Sequence, residues 1–94
     1  MSQKVARYRR QVDALVKSLP GYSTYWERSH QAKGGKTYFE VYFQLDRGHN
    51  YNLTIAVDKI TGKSEIVDEQ GRSITEEIKA CFKQELRNNW KWMT

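Results

Sequence analysis

Apolar residues recur along this chain in two rhythms. Val5, Tyr8, Val12, Leu15, Val16 and Leu19 repeat at three- and four-residue intervals, which lines one face of a helix. Lys4, Arg7, Arg10, Gln11, Ala14 and Lys17 fall on the opposite face. Ser2 is a capping residue, and Pro20-Gly21 breaks the pattern, so a helix is expected over residues 2–19. The same rhythm returns in Ile74, Ile78, Cys81, Phe82, Leu86, Trp90 and Met93. Ser73 with Glu76 three residues later forms a capping box, so this second helix is expected to begin at Ser73 and reach about Trp90.

Between the helices the period changes to two. Thr37, Phe39, Val41, Phe43 and Leu45 alternate with Tyr38, Glu40, Tyr42 and Gln44. Tyr51, Leu53, Ile55 and Val57 alternate with Asn50, Asn52, Thr54, Ala56 and Asp58. Both are strands with one buried face, joined by a tight turn at residues 46–49. A further turn at residues 58–63, with Gly62 suited to a positive φ, leads to a short edge strand over residues 64–67. Residues 22–30 also read as a strand, rich in aromatics, but Tyr22, Tyr25 and Trp26 do not share one parity. Residues 31–36 follow as a basic hairpin loop around Gly34-Gly35.

The order is α-β-β-β-β-α. It implies one α+β domain over residues 1–94, a four-stranded antiparallel meander with the N- and C-terminal helices packed on one face. Leu15, Phe39, Phe43, Leu53, Ile55, Phe82 and Leu86 are expected to be buried together. The other sheet face stays open, which an antiparallel sheet tolerates. The run Val57-Asp58-Lys59-Ile60-Thr61-Gly62-Lys63 resembles the hairpin of PepSY-type domains. The element order resembles the double-stranded-RNA-binding domain. However, Ser73-Ile74-Thr75-Glu76-Glu77 is acidic where that domain has a basic cluster. Neither resemblance carries a functional residue onto this chain.

Aromatics make 13% of the residues, enough to build a core in a chain of 94. One cysteine excludes an internal disulfide, and its place on the apolar stripe predicts a buried thiol. With no apolar leader and no membrane-length apolar run, the expected setting is a reducing cytoplasm without membrane contact.

The net charge of +5 is unevenly spread. Residues 1–17 hold Lys4, Arg7, Arg9, Arg10 and Lys17 against Asp13 alone, and residues 18–36 add Arg28, Lys33 and Lys36 against Glu27. The sheet turns are mildly acidic. These eight cations are the candidate phosphate contacts of a nucleic-acid-binding accessory domain, non-catalytic and without cofactor. The candidate interaction face is Tyr38, Glu40, Tyr42, Gln44, Asn52 and Thr54, where the tyrosines can stack on bases or anchor a partner. The alternative function is therefore a protein–protein interaction module. It would be an adaptor or inhibitor of the kind phages and plasmids carry, and homodimerisation through the same face is a further arrangement it allows.

Acid–base chemistry has a thinner basis. His30, His49, Glu40, Arg28 and Lys36 are the right types for a metal-independent ribonuclease, but no spacing joins them. One Cys and two separated His give no metal-ligand spacing, and Asp58, Glu65, Asp68 and Glu69 match no calcium loop. Gly34-Gly35 lacks the strand-to-helix setting of a phosphate loop.

Overall fold

The computed structural model describes residues 3–46 and 49–93. Its elements run α1 (Gln3–Lys17), β1 (Tyr22–Lys33), β2 (Lys36–Leu45), β3 (Asn50–Asp58), β4 (Ser64–Val67) and α2 (Thr75–Met93). The strands form one antiparallel sheet in the order β1-β2-β3-β4. This is the expected α+β meander.

Both helices pack on the same face. The core joins Tyr8, Val12, Val16 and Leu19 of α1 to Phe39, Val41, Phe43 and Leu45 of β2. It continues through Leu53, Ile55 and Val57 of β3, Ile66 of β4 and Phe82 of α2. Phe82 stacks on Phe43, with ring centroids 5.0 Å apart and planes 13° apart, and meets Tyr51 at 4.8 Å. Burying such a ring contributes about 1.5–3 kcal/mol. Leu15 and Leu86 pack against this core while only partly buried, a correction to their expected full burial.

β1 explains its own irregular pattern. Its register against β2 shifts twice, between Tyr22 and Thr24 and between Glu27 and Ser29. Each shift is a bulge that adds one residue and resets the alternation. The first puts both Tyr22 and Tyr25 on the core side, three residues apart, against the core residues Leu45 and Phe43. The second lets Trp26, Arg28 and Ser29 all reach the open face, as their contacts with Tyr42, Asn52 and Glu40 require. The strand continues to Lys33, so residues 31–33 are paired with β2 rather than looped, and the reversal is confined to Gly34-Gly35.

Two other expectations are corrected. α2 begins at Thr75, because Ser73 is held in a bridge to Val67 and the first helical bond runs from Ile78 N–H to the Ile74 carbonyl. Thr75 Oγ1 accepts the Ile66 N–H at 2.9 Å and ties the helix to β4. Cys81 is a free, exposed thiol. The inward line of α2 is Ile78, Phe82 and Leu86, and Cys81 stands about 100° off it. The Ser2 cap, the Arg47-Gly48 turn residues and the side chains of Val5, Trp90 and Met93 lie outside the described residues.

Gly21 positions the turn from α1 into β1. Its φ of 73° is a left-handed conformation, and its carbonyl accepts the Asp46 N–H at 2.8 Å. A Cβ there would stand 2.7 Å from Leu45 Cδ1 and 2.9 Å from both Leu86 Cδ atoms. Glycine is required by backbone and space together.

Candidate nucleic-acid interface

The open face is built on the outward residues of β2. Tyr42 lies between Trp26 and Asn52, Glu40 between Ser29 and Thr54, and Tyr38 between Gln31 and Ala56. Gln44 follows at the exposed end, between Thr24 and Asn50. Trp26 and Tyr42 stack, with centroids 5.0 Å apart and planes 20° apart. The Arg28 guanidinium sits 5.8 Å from the Tyr42 ring centre, within cation–π range, and Nη1 donates to Asn52 Oδ1 at 3.4 Å. Ser29 Oγ donates to Glu40 Oε2 at 3.2 Å. Trp26 remains 50% exposed, a large apolar surface offered to solvent.

A groove of ≈ 690 Å³ lies on the same face. Its floor includes Tyr38, Glu40 and Thr54. One wall is the hairpin tip with Lys33 and Lys36, and the other is the turn at residues 68–71. Asp68 Oδ1 accepts the N–H groups of Gln70 and Arg72, both at 2.9 Å, which makes that wall a defined turn. Those bonds, the Arg72 N–H foremost, hold the Asp68 carboxyl below its ordinary range. Lys36 shares the outward parity of Tyr38 and Lys33 pairs with it, so both lysines edge this face.

The cations of α1 are arranged differently. Arg9 makes two bonds to Glu27, Nε to Oε1 at 2.8 Å and Nη2 to Oε2 at 2.9 Å. Glu27 also meets His30 Nδ1 at 3.2 Å. The hydrogen bonds from Arg9 first, and from His30 after it, hold the Glu27 carboxyl below its ordinary range against the opposing effect of burial. Lys17 pairs with Asp13 at 3.2 Å, and Asp13 accepts the Tyr25 hydroxyl at 2.8 Å. Arg7 and Arg10 are exposed, and the side chain of Lys4 lies outside the described residues. Because α1 covers the core face, its cations and Arg28 are on opposite sides of the sheet. Of the eight expected phosphate contacts, Arg28, Lys33 and Lys36 come together with the tyrosines, and Arg9 and Lys17 are engaged by carboxylates.

The histidines are not brought together. His30 packs by Phe39 and His49 follows the β2 terminus at Leu45, six residues or about 20 Å further along the strand. His49 instead lies beside Glu85, whose carboxylate also accepts the Tyr51 hydroxyl. Among the described residues no cluster of three His, Cys, Asp or Glu can hold a metal ion. No described helix is long and apolar enough to cross a membrane.

Trp26 is the main residue that sequence reasoning left out of the site. The signal was present in the Trp26-x-Arg28 spacing opposite Tyr42, but the two bulges hid the parity of β1. No known protein family matches the chain, and neither a curated protein nor a solved structure matches it. Neither family resemblance is therefore carried further.

Proposed function

We propose that this chain is a nucleic-acid-binding accessory domain without catalytic activity, and that it binds through the open sheet face. One observation carries the reading: Trp26 and Tyr42 stack beside the Arg28 guanidinium, on a face edged by Lys33 and Lys36. Flat aromatic surface takes bases and the neighbouring cations take phosphates. Arg7 and Arg10 on the far helix add long-range attraction for a polyanion rather than direct contacts.

The test is binding of labelled DNA and RNA across a salt series. Affinity should fall linearly in log–log form with salt, and Arg28→Gln with Lys33→Gln and Lys36→Gln should flatten the slope by about one for each phosphate no longer neutralised. Absence of binding at low salt would end this reading.

A second reading, a protein-interaction module using the same face, is favoured by one feature. Trp, Tyr and Arg are the residues that anchor protein interfaces, and Trp26, Tyr42 and Arg28 share the open face with a groove in which Tyr38 lines up with the acidic residues Asp68 and Glu69. Binding of that kind would depend weakly on salt.

A further inference from the structure

Resting on the nucleic-acid reading, we infer that the ligand is single-stranded, that Trp26/Tyr42 and Tyr38 are two separate base-stacking stations, and that Glu40 between them selects bases carrying an exocyclic amine.

Spacing carries the first step. Tyr38 and Tyr42 are four residues apart on a regular strand, about 13 Å at the rise of a β-strand. Successive bases in a duplex strand are about 3.4 Å apart and their faces are covered by their neighbours. An extended, unstacked strand can place one base at each station, and a duplex offers a base to neither.

Shape and charge carry the second. Trp26 is half exposed while stacked on Tyr42, so one indole face is open to a base. Tyr38 is on the floor of the ≈ 690 Å³ groove, whose walls confine a second base from two sides. Each station has its own cation, Arg28 beside Tyr42 and Lys36 two residues before Tyr38. Each aromatic station thus has a cation within reach of the phosphate next to a stacked base, Arg28 from β1 and Lys36 from β2.

Glu40 carries the third. It is exposed midway between the tyrosines, and Ser29 Oγ orients one of its oxygens from a distance of 3.2 Å. A carboxylate repels phosphate, so the backbone joining the two stations runs to one side of Glu40 and a base, not a phosphate, faces it. It accepts hydrogen bonds only, which matches the amino groups of cytosine, adenine and guanine and opposes the carbonyl-rich edges of thymine and uracil.

Fluorescence anisotropy with labelled dodecamers at neutral pH tests this, using oligo-dC, oligo-dT and a mixed duplex. The chain should bind oligo-dC about tenfold tighter than duplex and several-fold tighter than oligo-dT. Trp26→Ala should weaken single-strand binding about tenfold and leave the weak duplex binding unchanged. Glu40→Gln, which can donate as well as accept, should erase the preference for cytosine over thymine. If Trp26→Ala lowers the helix and sheet signal in circular dichroism, Trp26→Leu, which keeps an apolar side chain but no flat ring, replaces it with the same expectation. Equal binding of duplex and single strand, or single-strand binding indifferent to both variants, overturns the inference while nucleic-acid binding itself stands. A cytosine preference that survives Glu40→Gln removes Glu40 from the site. No binding to any of the three probes overturns the underlying function.

Discussion

Arg9 and Glu27 close a two-point ion pair that ties α1 to β1, with both contacts under 3 Å. A planar guanidinium matched to a carboxylate holds orientation as well as charge. Arg9→Gln should therefore act on stability: its melting temperature should fall by a few degrees, with nucleic-acid affinity little changed. Arg7→Gln and Arg10→Gln, on exposed positions, should stay within about ±0.5 kcal/mol of the parent. Thermal denaturation of the three variants checks the contrast. Equal stability of all three would mean the ion pair contributes nothing.

The same pair sets an acid response. Glu27 has its carboxyl pKa lowered from 4.5, chiefly by the Arg9 hydrogen bonds, and Asp13 is lowered from 3.8, chiefly by the Tyr25 hydroxyl. A carboxylate depressed in the folded state supplies stability that is fully present above its unfolded value and lost as pH falls through its folded value. The melting temperature should be level above about pH 5 and decline progressively below 4.5. Glu27→Gln should lower the plateau and make the acid decline shallower. A parallel decline in parent and variant would assign the acid response to Asp13, Asp58 and Asp68 instead, whose carboxyls are also lowered.

Gly21 and Gly62 separate backbone strain from steric conflict. Both have left-handed φ, 73° and 75°, but only Gly21 is crowded, with Leu45 and Leu86 within 3 Å of an added Cβ. Gly62→Ala should cost about 1–2 kcal/mol, the penalty of that conformation for an L side chain. Gly21→Ala should cost more, since core side chains must also move. Urea denaturation of both variants measures the difference.

The alternating strands and the helix stripes were legible because one buried face imposes one period. β2 and β3 read directly as Phe39-x-Val41-x-Phe43 and Leu53-x-Ile55-x-Val57. β1 was not legible in the same way, since two bulges break its period and Tyr22 and Tyr25 reach the same face three residues apart. Cys81 departs from its expected burial because a helical stripe tolerates a neighbour about 100° away, and only packing decides which residue turns inward. The open face was legible in Tyr38 and Tyr42, whose parity needs no bulge. Arg28 was named for its charge alone, and its place beside Tyr42, like the whole of Trp26's part, needed the register of β1. The cationic surface was half legible: composition names its members, but Glu27 lies eighteen residues from Arg9 and nothing local announces their pairing.

Replacing Tyr38 and Tyr42 together by Ser tests whether the open face is there for binding or for folding. Both rings are half-buried on the side away from the core, where the one buried apolar residue paired with either of them is the small Ala56, beside Tyr38. Tyr42 does stack on Trp26 and lie under Arg28, so the double variant gives up cross-strand stacking of about 0.5–1.5 kcal/mol for the aromatic pair. A domain with Phe39, Phe43 and Phe82 fully buried should survive that change. The expected result is a folded protein with a modestly lowered melting temperature and no detectable affinity for single-stranded nucleic acid. A variant that unfolds at room temperature would make the two rings a second, outer layer of the fold. A variant that folds and still binds would return the phosphate contacts to Arg7 and Arg10 on α1. The outcomes separate because the two cationic groups lie on opposite sides of the sheet, and only the group on the open face has the Trp26–Tyr42 stack beside it.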